Sequence, residues 1–130
     1  FNVPIIYELI GELNSIPFDY NTLNTILTEL ISNAVKFSPP ERIDINVFAK
    51  ADQDKFELKV SDKGIGIEKE AIERILEPFY QHNRKRLEQQ GGGLGLTIVN
   101  KLVKIYGGNL SINSNINEGT EVILTIPIIK

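Results

Sequence analysis

Between Leu23 and Ala34 the apolar residues Leu23, Ile26, Leu27, Leu30, Ile31 and Ala34 fall at i, i+3, i+4, i+7, i+8 and i+11. That spacing gathers them on one stripe of an α-helix, and the stripe requires a surface to cover it. Pro39 and Pro40 stop the helix, because the first disfavours helical backbone at Ser38 and the second has no N–H to donate. The covering surface follows at once in the chain. Ile43, Ile45, Val47 and Ala49 alternate with Asp44, Asn46 and Phe48, and Phe56, Leu58 and Val60 alternate with Glu57, Lys59 and Ser61. A period of two in both runs predicts two half-buried strands joined by a polar turn at Lys50 to Asp54.

The remaining segments extend this layered pattern. Pro4 suits the first turn of a helix, and Ile5, Ile6, Leu9, Ile10 and Leu13 recur behind it, so a short amphipathic helix is expected there. Ser15 to Asp19 reads as a connector, with Asp19 or Asn21 placed to cap the next helix. A short helix is expected near Lys69 to Leu76, a loop from Tyr80 to Gly93, and a helix over Gly95 to Tyr106 that Gly107 and Gly108 terminate. Strands close the chain around Leu110 to Asn113 and Thr120 to Ile128, and Pro127 suggests that the last lies near a sheet edge. The expected architecture is α+β: a two-layer α/β sandwich, with a mixed sheet carrying its helices on one face.

Composition narrows the chemistry. A chain of 130 residues has the length of one domain, able to bury roughly two-thirds of its unfolded surface. Fourteen Lys and Arg against seventeen Asp and Glu give a net charge of −3, which argues against a broad basic surface for nucleic acid or anionic lipid. There is no Cys, and His82 is the one histidine, so thiolate chemistry and multi-histidine metal centres are excluded. No apolar run approaches the ~20 residues that cross a bilayer. The chain has no Met and opens on Phe1, so it is expected to be a fragment of a longer protein.

Three constellations carry chemistry. Glu29, Asn33 and Lys36 lie at i, i+4 and i+7, within about 60° of one another on the helix and beside its apolar stripe. An amide oxygen suits hydrated Mg²⁺, an ammonium suits phosphate and a carboxylate can orient water, although the same stripe also fits a solvated helix face. Asp62-Lys63-Gly64-Ile65-Gly66-Ile67 follows a strand directly, and its carboxylate can receive the exocyclic amine of a purine; a plain turn fits it equally. Gly91-Gly92-Gly93-Leu94-Gly95-Leu96 leads into a helix whose N–H groups can accept phosphate oxygens, and it is not a Walker loop. Arg84-Lys85-Arg86 and His82 fall in the loop before it.

In this order the pieces resemble the ATP-binding catalytic domain of sensor histidine kinases, within the superfamily that includes gyrases, ATP-driven chaperones and mismatch-repair ATPases. Thr28 to Pro39 resembles the N box, Asp62 to Ile67 the first glycine box, Glu77-Pro78-Phe79-Tyr80 the F box, Gly91 to Leu96 the second glycine box, and Gly119-Thr120 the closing glycine-threonine element. The resemblance implies a Bergerat-type fold that binds ATP and Mg²⁺. The metal would sit on Asn33 and the adenine on Asp62, with Gly64, Gly66, Ile67 and Thr120 around it. Phosphates would lie near Lys36, Gly91, Gly93, Leu94, Gly95 and Leu96, and Glu29 would assist transfer. A lid would run from about Tyr80 to Gly92, anchored by Phe79 and Tyr80, with Arg84, Lys85 or Arg86 supplying charge because Gln81 stands where a basic residue often follows the F box.

By the same resemblance the γ-phosphoryl group passes to a histidine on a separate dimerisation domain of the same parent, with a response regulator downstream. The chain alone would be a cytoplasmic monomer that does not phosphorylate itself. Two departures bear on the fold: a strand that often precedes the N box is reduced to Ile16 to Phe18 or lost, and Asn117 replaces a frequent glycine, a mild change because Asn tolerates left-handed backbone. An anti-sigma-type serine kinase and a catalytically silent ATP-sensing module are the alternatives.

Overall fold

The computed structural model describes residues 5–11, 18–41, 43–76 and 93–128. Strand β1 (Ile5–Gly11) precedes helix α1 (Tyr20–Lys36), the hairpin β2 (Ile45–Ala51) and β3 (Lys55–Asp62), helix α2 (Lys69–Leu76), helix α3 (Gly93–Ile105) and the hairpin β4 (Asn109–Asn115) and β5 (Gly119–Pro127). The five strands form one mixed sheet in the order β1-β2-β3-β5-β4. Only β1 and β2 run parallel, and the other neighbours are antiparallel.

Helix α1 forms where the stripe and its caps agree. Asp19 caps it by accepting the Thr22 N–H at 2.7 Å, and Ile26, Leu30, Ile31 and Ala34 are buried. At the other end Ser38 donates its hydroxyl to the Ala34 carbonyl at 2.6 Å, satisfying an acceptor the helix leaves open. The β2–β3 turn is tighter than expected, because Asp52 Oδ1 accepts the N–H groups of Asp54 and Lys55 at 2.7 and 2.9 Å. Alternate residues Phe56, Leu58 and Val60 on β3 and Val122, Leu124 and Ile126 on β5 meet the helices in one core. Gly107, at φ 79°, and Gly108 end α3 by donating to the carbonyls of Lys104 and Val103. The opposite sheet face is polar, with Lys59 lying 5.4 Å above the Phe48 ring and 3.9 Å from Glu121.

Three expectations are corrected. The first segment is the edge strand β1 and not a helix. Its apolar spacing fits either element, and almost all of it is exposed, so no buried stripe exists for the spacing to report. The strand before the N box is therefore present, upstream of Ile16. Pro127 does not mark an edge: β5 lies between β3 and β4. It is tolerated because β4 pairs only as far as Thr125, two residues before the proline.

Candidate functional site

The helix-bearing face of the sheet is apolar until its last row. There Ile45, Asp62, Thr120 and Ser114 are successive partners across β2, β3, β5 and β4. Three polar residues thus stand where one strand ends, another begins and α1 runs out above them. Asp62 is only 9% exposed. Its Oδ1 accepts the Gly64 N–H at 2.8 Å. Burial pushes its carboxyl above the ordinary value of 3.8, and backbone N–H groups of Gly64 and Thr120 oppose that rise.

The loop after Asp62 is tied down on both sides. Ile65 donates to the Phe37 carbonyl at the end of α1, and Asn117 donates to the Ile65 carbonyl from the β4–β5 turn. Gly64 passes so close to the Phe37 carbonyl oxygen that a Cβ there would collide with it. Asn117 holds φ 66°, the left-handed backbone its residue type tolerates.

On the helical layer, Asn33 is 8% exposed and donates its Nδ2 to the Glu29 carbonyl at 2.9 Å. That bond uses the amide's donor and leaves Oδ1 as its acceptor. Glu29 is half-buried, and a Cβ on Gly95 would collide with Glu29 Oε2 and come within 3.3 Å of Asn33 Nδ2. The start of α3 thus meets the polar stripe of α1 at Gly95, in close contact with the Glu29 carboxylate. Lys36 is exposed at the last turn of α1.

One crevice joins the two layers. Asn33, Asp62, Ile67 and Thr120 line it between the apolar walls of Leu30 and Leu96. Its volume is about 10 Å³, the room of a single water. Among the described residues no group of three or more His, Cys, Asp or Glu converges on a point. Glu29, Asn33, Asp62, Gly64, Gly66, Ile67, Gly95, Leu96 and Thr120 are all described. Phe79, Tyr80, Gln81, His82, Arg84, Lys85, Arg86 and Gly91, with the expected lid, lie outside the described residues, as do the side chain of Leu94 and its surroundings.

Ser114 was not singled out by its sequence. Its signal is nonetheless present: Leu110, Ile112 and Ser114 alternate on β4, so the run ends on a polar residue just as Phe56, Leu58, Val60 and Asp62 do on β3.

Residues 18–130 match the family model of histidine kinase-, DNA gyrase B- and HSP90-like ATPases. Over 128 residues the chain is 41% identical to the autoinducer 2 sensor kinase/phosphatase LuxQ of Vibrio vulnificus, a match that covers 90% of the chain and 15% of LuxQ. Among solved structures it resembles full-length ShkA in complex with AMPPNP, with a TM-score of 0.66 and 29% identity over 95% of this chain and 25% of that one. It also resembles the catalytic domain of the histidine kinase ThkA, with a TM-score of 0.70 and 25% identity over 95% of this chain and 79% of that one. The matched region is a small part of the full-length kinases and most of the isolated catalytic domain. With the mixed sheet and the sequence match agreeing, the chain belongs to the histidine kinase-, DNA gyrase B- and HSP90-like ATPase family, with histidine kinases as its relatives and structural neighbours.

Proposed function

We propose that this chain is the ATP-binding catalytic domain of a protein histidine kinase, which holds Mg-ATP in the crevice and supplies its γ-phosphoryl group to a histidine on a separate dimerisation domain. The observation that carries the reading is the crevice lined by buried Asp62 and Thr120 on the sheet and by Asn33 on α1. A buried carboxylate is an acceptor and matches the exocyclic amine of adenine. Gly64 and Gly66 keep side chains away from the base, and Ile67 and Leu96 supply apolar contact to its faces.

The donor set fits magnesium. Asn33 Oδ1 is one hard oxygen ligand, and Mg²⁺ is commonly held by one or two protein oxygens together with substrate phosphates and water. When bound, the ion neutralises charge on the phosphates. The N–H groups at the start of α3, from Gly93 to Leu96, would receive phosphate oxygens, and Lys36 would add a cation. Glu29 lies beside Gly95 and so at the phosphate end of the crevice. There its carboxylate can accept the N–H of an incoming imidazole, which leaves the other ring nitrogen unprotonated and free to attack. Positioning and charge neutralisation supply most of phosphoryl-transfer catalysis, so a domain of this size is sufficient for the nucleotide half of the reaction.

The test mixes the chain with a hairpin domain bearing the phosphoaccepting histidine and γ-labelled ATP. Acid-labile label on the hairpin is expected, and Asp62→Asn and Asn33→Ala reduce it together with ATP affinity. Acid-stable label would favour serine transfer, and binding without transfer would favour a silent nucleotide sensor. Unchanged ATP affinity in both variants would overturn the site.

A further inference from the structure

Ser114 stands beside Thr120 at the end of the polar row, half-buried and with its hydroxyl fully engaged. Its Oγ accepts the Ile67 N–H at 2.7 Å, donates to the Gly119 carbonyl at 2.9 Å and lies 2.8 Å from Thr120 Oγ1. A serine hydroxyl has one proton and two lone pairs. The Gly119 carbonyl has no proton to offer, so the serine proton goes there. One lone pair holds the Ile67 N–H, and the other receives the Thr120 proton. The reverse choice would leave the serine and carbonyl oxygens 2.9 Å apart with no proton between them. Thr120, which lines the crevice, therefore has its proton committed to Ser114 and only lone pairs left to offer. The neighbouring Asp62 carboxylate is acceptor-only as well when ionised, and its Oδ1 is already engaged by Gly64.

We propose that Ser114 is a positioning residue that fixes the hydrogen-bonding sense of Thr120, so that the crevice wall presents acceptors alone and selects a purine with an exocyclic amine over a 6-oxo purine. This rests on the reading of Asp62 and Thr120 as the base site and adds to it the group that sets its polarity. Two adjacent acceptors match the two protons of a primary amine, whereas an oxygen at the same place meets lone pairs on both sides. Removing the serine hydroxyl releases the threonine proton, and the wall becomes able to donate.

The experiment measures equilibrium binding of ATP and of inosine triphosphate, which carries oxygen in place of the amine, to the chain and its variants. Ser114→Ala lowers the preference for ATP about three- to tenfold, the worth of one hydrogen bond. Ser114→Thr restores it. In a Thr120→Val background, Ser114→Ala changes the ratio no further, because no threonine proton remains to redirect. A serine that merely braces the loop would weaken both nucleotides equally, so an unchanged ratio in Ser114→Ala overturns the proposal, and so does a further fall in the double variant. Should Ser114→Ala fail to fold, Thr120→Val alone decides: it removes an acceptor and lowers the same preference, and an unchanged ratio there overturns the proposal. Asp62→Asn separates the two claims. If it weakens ATP binding while the Ser114 ratio stays fixed, only the positioning role falls; if it leaves ATP affinity unchanged, the base site itself falls.

Discussion

Asp62 is placed where burial disfavours the charged form of its carboxyl in the folded domain. Burial raises its pKa above 3.8 in the folded chain, so between that value and the raised one the native state holds a proton that the unfolded chain has released. Its contribution to stability is fully present below 3.8 and is lost as pH rises through the raised value. Asp62→Asn removes this dependence. The variant is expected to melt at a higher temperature than the parent at neutral pH and to show a flatter stability profile through the acidic window. It is also expected to lose about tenfold to a hundredfold in ATP affinity, the range of a hydrogen bond to a charged group. Thermal melts across pH with calorimetric titration of ATP check both, and a lower melting temperature with unchanged affinity would refute the assignment. Asp62, Asn33 and Glu29 were legible because their residue types stand at the ends or borders of periodic runs. Ser114 was not, because its meaning depends on the pairing of β4 with β5 and on hydroxyl geometry that no linear pattern carries.

The approach of α3 to α1 turns on one residue. At Gly95 a Cβ would meet the Glu29 carboxylate, which is the far end of a flexible side chain and can swing away. Gly95→Ala also replaces glycine inside a helix, a change worth about 1 kcal/mol in favour of the helix. The variant is therefore expected to keep its stability in urea or gain up to that amount, bind ATP with little change and transfer phosphate to the histidine hairpin at least tenfold more slowly. A loss of several kcal/mol would mean that the two helices cannot adjust; an unchanged transfer rate would remove Glu29 from the mechanism. Helices α1 and α3, both hairpins and the short α2 were legible because each buries one face and writes its period into the sequence. The edge strand β1 is exposed along its length except at Ile5. Its isoleucines and leucines carried no periodic information, and the choice between helix and strand was made by pairing with β2, which lies more than thirty residues away.

At the scale of the molecule, the proposed base end and phosphate end of the site belong to different layers: Asp62 and Thr120 to the sheet, Glu29, Asn33 and Gly95 to the helices. The crevice between these layers measures about 10 Å³, the room of a single water. The layers are held by α1, α2 and α3 on β2, β3, β4 and β5, and β1 adds only Ile5 to the edge of the core. Its register puts Tyr7 and Leu9 on the same face as buried Val47 and Ala49, yet they are 59% and 61% exposed because the helices do not extend over the edge. What β1 contributes is backbone pairing. Leu9→Ser is therefore expected to change unfolding free energy by less than about 0.5 kcal/mol, whereas Leu58→Ala, in the centre of the sheet, costs about 3 kcal/mol. Urea denaturation of the two variants measures the contrast, and ATP titration of Leu9→Ser gives the same affinity as the parent. If Leu9→Ser were as costly as Leu58→Ala, β1 would be part of the core and the crevice would depend on all five strands; a large gap between them confines the working unit to four strands and the helices above them.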